Sequence, residues 1–385
     1  MSVRWDAVVV GARVAGAATA MLLARSGMRV LCVDRAREGS DTLSTHAFLR
    51  AGVLQLAQWG LVDEIRAAGT PPIRRIVFTY GDEQVPVAVR PGSGVDALYA
   101  PRRTVLDTIL SGAAVRAGAT VRYGTPVTGL LRGLDGRVSG VVVRGRDGRM
   151  QEESAPLVIG ADGRASVVAD EVAAPVQFAG TAATEMVYGY AAPLPVDGYV
   201  WSYRPGVSVG AIPTNGGVTC IFAGGRPGTV LPLVRARGPE GTLRALAATG
   251  PLGPALAQAR TVGRIRHVHG TPGHLRTPHG PGWALVGDAG YWKDPLSTHG
   301  MSAALRDADL LARAVLSAPR PGRAQTEALA GYAASRDALS LPMLRIVERI
   351  AAHDWDLPTI RQLLLEMSST MADEVAFLKD LATSA

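Results

Sequence analysis

The stretch "VVVGARVAGAATAMLLARSGMRVLCVDRA", residues 8–36, decides how the rest of the chain is read. An apolar run ending at Val10 meets a glycine turn, and Ala15 to Arg25 is rich in alanine and leucine, as a closely packed helix would be. Ser26-Gly27 stops that helix, and Met28 to Val33 is a second apolar run ending at Asp34. Gly11 and Gly16 fit the first and third positions of G-x-G-x-x-G, the turn that sets a helix N-terminus against a pyrophosphate. Asp34 lies roughly 20 residues beyond the turn, the spacing of an acid that accepts hydrogen bonds from an adenosine ribose. Arg13 breaks the pattern, standing where the second glycine lets backbone approach the phosphates. Its side chain does not fit that space and is expected to turn outward over the bound nucleotide.

At 385 residues the chain exceeds what one core usually holds, so two domains or one elaborated domain are expected. With 47% hydrophobic and 19% charged residues it is globular. The formal net charge of +7 comes almost wholly from arginine, since Lys293 and Lys379 are the only lysines. These arginines are scattered and no basic stripe interleaves with aromatics, which argues against a nucleic-acid groove and for anionic cofactors or substrates. Cys32 and Cys220 lie far apart in strand-like stretches, so reduced, buried thiols in a cytoplasmic protein are expected. No apolar run reaches the length of about 18 residues that a membrane span requires, and no signal peptide is expected.

Further along, Arg102 to Ala117 reads as a helix leading into a β-meander whose turns are Asp135-Gly136 and Asp147-Gly148. "LVIGADG" (157–163) is another buried strand running into a turn. Residues 176–269 are strand-rich, with a hairpin at Asn215-Gly216 and a helical insertion around 229–259; the strand-like stretch 73–91 is expected to join their sheet. "GWALVGDAG" (282–290) returns to strand and turn, and the last part of the chain is helical. The expected class is α/β, with a Rossmann-like nucleotide domain interleaved with a sheet-rich (α+β) substrate domain. The partition assigns 1–72, 101–175 and 270–385 to the nucleotide domain with its meander and C-terminal helices, and 73–100 and 176–269 to the substrate domain.

Asp162-Gly163 in "GADGRAS" and Gly287-Asp288 in "VGDAGYWKDPLSTHGMSAALRDADLLA" each end an apolar strand. Together with the glycine turn they resemble, in order and spacing over nearly the whole chain, the three signatures of FAD-dependent monooxygenases of the p-hydroxybenzoate hydroxylase fold. The resemblance implies FAD, with its pyrophosphate at Gly11, Arg13, Ala15 and Gly16 and its ribose at Asp34 beside Arg35. It implies that Asp288, after Gly287, binds the ribityl chain, and that Asp162-Gly163 contacts FAD or the nicotinamide cofactor. Arg103 matches the family's arginine at the start of the helix under the flavin. Pro295 fits its ring-proximal proline, and Gly300 and Met301 open the helix whose amides face the ring edge. The departures are Arg13, Ala169 where the DG motif usually closes with arginine, and Thr298 and Ser302 where glycine and asparagine are usual.

Candidates for the reaction itself are His46 in the loop after "DTLST", Lys293, Pro295 and His299. For Lys293 two readings stand, a working cation and a solvated pair with Asp294. Tyr80, Tyr199, Trp201 and Tyr203 are candidate substrate walls or else ordinary sheet-packing aromatics. His267 and His269 face one side of a strand, with His274 and His279 nearby, but no compact ligand set with a carboxylate is evident and no metal is expected. No second dinucleotide turn occurs, so NAD(P)H is implied as a transient co-substrate. The resemblance implies a monooxygenase that uses NAD(P)H and O2, through a flavin C4a-hydroperoxide, to hydroxylate or epoxidise an aromatic, polyketide-like or terpenoid molecule. The alternatives are an isoprenoid double-bond reductase and an FAD-bound scaffold or cyclase without redox chemistry. The former rests on "GYVWSYRP" (198–205), which loosely resembles the Y-x-W-x-F-P-K stretch of geranylgeranyl reductases. The oligomeric state is left open.

Overall fold

The apolar run before the glycine turn becomes the strand Ala7–Val10, buried along its whole length. Parallel neighbours flank it: Val30–Asp34 on one side and Val158–Gly160 on the other. Thr120–Tyr123 extends the sheet beyond the first, Trp283–Leu285 beyond the second, and the short His279–Gly280 closes the row. Near-continuous apolar strands suit a parallel sheet covered on both faces. The helices Val14–Arg25, Arg103–Arg116 and Gly300–Ser317 cover one face, and the meander Val127–Arg132, Val138–Arg144, Met150–Ser154 covers the other. The computed structural model describes residues 5–248 and 250–383.

This strand order explains why three motifs so far apart in sequence act together. Val10 pairs with Gly160, and Gly160 with Leu285. The glycine turn, Ala161–Gly163 and Gly287-Asp288 therefore emerge side by side at the carboxyl ends of adjacent parallel strands, where open α/β sheets bind ligands.

A second sheet of seven strands draws Arg75–Tyr80 and Glu83–Ala88 together with five strands between Glu185 and Val268. Alternation sorts its faces. Val187, Ala191, Val209, Ala211, Ile221 and Ala223 pack under the helices Val230–Ala247 and Gly253–Gln258. Tyr188, Tyr199, Trp201, Tyr203, Cys220 and Phe222 point to the other side, into a core shared with the first sheet and its helices. Asn215-Gly216 lies in a 3-10 turn between two of these strands, with Gly216 at φ +74°. Val176–Ala179 pairs outside the large sheet, with His274–Arg276, in a small sheet completed by Tyr291–Trp292. Two long helices, Arg323–Ala351 and Leu357–Thr383, close the chain. Cys32 and Cys220 are buried and not joined in a disulfide. Among the described residues no helix is long and apolar enough to cross a membrane.

Candidate functional site

A cleft of about 780 Å³ runs from the glycine turn, along the carboxyl ends of the parallel strands, to the inner face of the large sheet. Gly11, Arg13 and Ala15 line its first part. Gly11 has φ +101°, and a Cβ there would come within 2.4 Å of the Ala161 carbonyl oxygen. Gly16 lies behind the wall, where a Cβ would sit 1.7 Å from the Gly11 oxygen, so it is needed for the helix to pack on the turn. Arg13 has φ −94° and ψ −163°, ordinary extended backbone that needs no glycine. Its guanidinium donates to Asp107 (3.1 Å) and Ser40 (3.2 Å), lying along the cleft wall beside Arg103, which also grips Asp107. Burial raises the Asp107 pKa despite its two arginines. Asp34 accepts the N–H groups of Ala12 (2.8 Å) and Ala36 (2.7 Å), so its carboxylate also clamps the turn.

The Asp288 carboxyl faces the cleft and accepts no hydrogen bond among the described residues. Burial pushes its pKa up, against the pull of Lys293, Arg103 and Arg164. Gly287 has φ +58°, and a Cβ there would lie 2.9 Å from the Ala15 Cβ, so glycine lets this turn dock on the first helix. Asp162 is differently employed: it accepts from the Ser166 hydroxyl (2.5 Å) and the Val167 N–H (2.7 Å) and so caps the helix Val167–Glu171, while Gly163 lines the cleft. Arg35, Arg144 and Arg164 complete a set of cationic side chains around the cleft.

Lys293 and Asp294 are neither solvated nor paired with each other. Asp294 is fully buried, accepts from the Leu296 and Thr184 N–H groups, and is raised to about 6 by that burial. Lys293 lines the cleft but is only 3% exposed; its Nζ is buried without a hydrogen-bond partner among the described residues, 4.0 Å from the centre of the Tyr291 ring. Burial and Arg306 pull its pKa down to about 8, with Asp288 opposing. Pro295, Gly300 and Met301 line the cleft. Thr298 adopts φ +49° at the position where the resembled family carries glycine; a β-branched residue there stores backbone strain of order 1 kcal/mol. His299 does not line the cleft. It is buried behind it, 2.5 Å from Glu374 on the last helix.

His46 also stands behind the wall, fully buried at φ +64°. Its Nε2 lies 2.5 Å from the Tyr190 hydroxyl and 3.3 Å from that of Tyr188, and the two hydroxyls are 2.7 Å apart. Tyr188 does line the cleft, and Arg102 lies 4.0 Å over the Tyr190 ring. Burial, reinforced by Arg102 and Arg103, pulls His46 down from 6.5 to about 3. The unfolded imidazole thus binds a proton that the folded one refuses, and stability falls as the pH drops from 6.5 toward 3. His46→Asn, which tolerates the positive φ, is expected to lose less stability than the parent over this interval. The difference reaches ~1.4 kcal/mol per pH unit in urea melts, and parallel slopes would refute the assignment.

Tyr80, Tyr199, Trp201 and Tyr203 are not brought to the cleft. They stack across neighbouring strands, Phe78 on Trp201 at 5.6 Å and Tyr80 on Tyr203 at 6.1 Å, under Trp355 and the C-terminal helices. Sequence reading missed Tyr188 and Tyr190, although "YGY" in a strand places both on one face. It also missed Glu185, which stands against His267 and His269 and supplies the carboxylate absent from their neighbourhood in sequence. Nothing local singles out Glu374.

A glycine cradle that no Cβ would fit, a helix N-terminus, an unbonded Asp288 carboxyl and a ring of cations suit a long anionic dinucleotide carrying a polyol. Residues 4–222 match the FAD binding domain family, to which the chain belongs. It is an FAD-dependent oxidoreductase. It is 26% identical over 363 residues to squalene epoxidase 3 of Arabidopsis thaliana, covering 90% of this chain and 66% of that one. It is 27% identical over 351 residues to a digeranylgeranylglycerophospholipid reductase of Methanothrix thermoacetophila, covering 86% and 82%. The structure of PqsL, a probable FAD-dependent monooxygenase from Pseudomonas aeruginosa, superposes with a TM-score of 0.75 at 21% identity, covering 96% of this chain and all of that one, a likeness of fold.

Proposed function

We propose that the chain is a monooxygenase that takes electrons from NAD(P)H and places one atom of O2 on a small aromatic, polyketide-like or terpenoid substrate: RH + O2 + NAD(P)H + H⁺ → ROH + NAD(P)⁺ + H2O. The observation that carries this reading is Tyr188 on the cleft wall, its hydroxyl backed by Tyr190 and a neutral His46. FAD, when bound, supplies the two-electron chemistry and the activation of O2.

The chain's own residues hold and shield the reactants. Gly11, Ala15 and the amides after Arg13 receive the pyrophosphate, with Arg13 and Arg103 balancing its charge. Asp34 serves the ribose and Asp288 the ribityl chain. Pro295 and the amides at Gly300 and Met301 border the ring. Met186, Tyr188, Leu43 and Ser44 form the substrate wall, in place of the four aromatics farther along the sheet. Tyr188 gives a proton to or takes one from a substrate oxygen, while the Tyr190 hydroxyl and the neutral His46 imidazole hold the Tyr188 hydroxyl in place. Lys293 offers a buried cation to negative charge at the inner end of the cleft. The name of the epoxidase relative supports oxygen insertion.

The reductase relative supports a second reading, reduction of an isoprenoid double bond. Product mass separates them: incubation with NAD(P)H and candidate substrates under air is expected to add one oxygen atom. Gain of two hydrogens without O2 demand would establish reduction, and an unchanged mass would favour a scaffold. Tyr188→Phe is expected to keep its flavin and lose about 100-fold in turnover; parental turnover would remove the proton role.

A further inference from the structure

Glu185 and the two histidines come together at the edge of the large sheet. Met186 pairs with Val268 and Val187 with His267, so Glu185 and the strand's outermost histidines share one face. The Glu185 Oε1 lies 2.7 Å from Nε2 of His267 and 3.7 Å from Nδ1 of His269. The two imidazoles are 4.4 Å apart, and the three donor atoms all fall within 4.8 Å of one another. The other carboxylate oxygen is held from behind by the N–H groups of Gly228 (2.9 Å) and Leu231 (3.3 Å). Burial would raise the Glu185 pKa, but these N–H groups and His267 outweigh it and lower it. His269 is exposed and lines the cleft.

We propose that Glu185, His267 and His269 form a site for a first-row divalent cation, zinc foremost, on the rim of the cleft. Two imidazole nitrogens and one carboxylate oxygen are a donor set zinc accepts, and three protein ligands leave a coordination position open. Metal–ligand bonds of about 2.0–2.1 Å need tetrahedral donors about 3.3 Å apart. Rotation of the exposed His269 side chain and a slight parting of His267 from Glu185 meet that requirement. The backbone N–H groups on Glu185 are the kind of outer contact that orients a ligating carboxylate. At the open position an oxygen donor, water or that of a bound molecule, completes the set.

The test uses tag-free, flavin-loaded protein stripped with a chelator and dialysed. Calorimetric titration with Zn²⁺ is expected to show one saturable equivalent, and Co²⁺ to give the strong visible bands of a low-coordinate site. His269→Ala removes an exposed side chain and is expected to weaken Zn²⁺ binding at least about tenfold, and His267→Ala to do the same, with flavin content and circular dichroism unchanged. Absence of saturable binding in the parent, or parental affinity in His269→Ala, would overturn the site. Neither readout involves turnover, so its failure leaves the oxygenation reading untouched.

Discussion

Asp288→Ala protein is expected to leave purification colourless, with little of the parent's FAD. The Asp288 carboxyl reaches the cleft with no hydrogen bond to occupy it among the described residues, at the end of the strand adjoining the one that carries Asp162. Hydrogen bonds to a charged group are worth about 1.5–3 kcal/mol each. Losing two to the ribityl hydroxyls raises Kd by roughly 10²–10⁴. Because Asp288 also faces Lys293, the alanine variant leaves that ammonium less compensated. Asp288→Asn keeps the shape without the charge and is expected to fall between the two. Full flavin content in the alanine variant, read from the visible spectrum of the purified protein, would refute the ribityl role.

Glu374→Leu is expected to destabilise the fold by about 3–5 kcal/mol. Glu374 projects from the last helix into a buried ionic cluster, accepting from Arg306 at 2.9 Å and meeting His299 at 2.5 Å. Arg306 and Glu374 are 1% and 3% exposed. Burial opposes ionisation of Glu374, but His299 and Arg306 outweigh it and bring its pKa down to about 2. Removing the acid leaves Arg306 with Asp307 as its one carboxylate among the described residues, beside the Ser340 hydroxyl. His299→Leu in the same background is expected to add less than its own single cost, since the two residues share one interaction. Urea midpoints for the two single variants and the double decide it. Additive losses would mean that the pair is not coupled.

The opening strand, turn, helix and strand were legible because each is written in local residues: an apolar run, two glycines, an alanine-rich helix, Ser26-Gly27. The meander was legible from its Asp-Gly turns. Strand order was not, because pairing is decided between segments far apart. Alternation placed Tyr199, Trp201 and Tyr203 on the inner face of the large sheet. It had no means of showing that their strand lies beside Arg75–Tyr80, while the cleft opens against Glu185–Ala192. The partner that holds Arg13 along the cleft wall was not legible, because Asp107 lies on another helix. Lys293 and Asp294 look like a surface pair in sequence. The fold turns them to different neighbours, Asp294 to Thr184 and Lys293 to the cleft.

The order of strands in the first sheet bears on how the protein comes into being. Its central strand is made at residues 7–10, yet the neighbour of its neighbour is not synthesised until residues 283–285. On a ribosome, most of the chain must therefore emerge before the sheet can finish, and the early apolar strands wait with their edges unsatisfied. Such long-range closure is slow and prone to off-pathway association. Recombinant yield should accordingly respond to lowered temperature and to chaperone supply more than to any single surface residue.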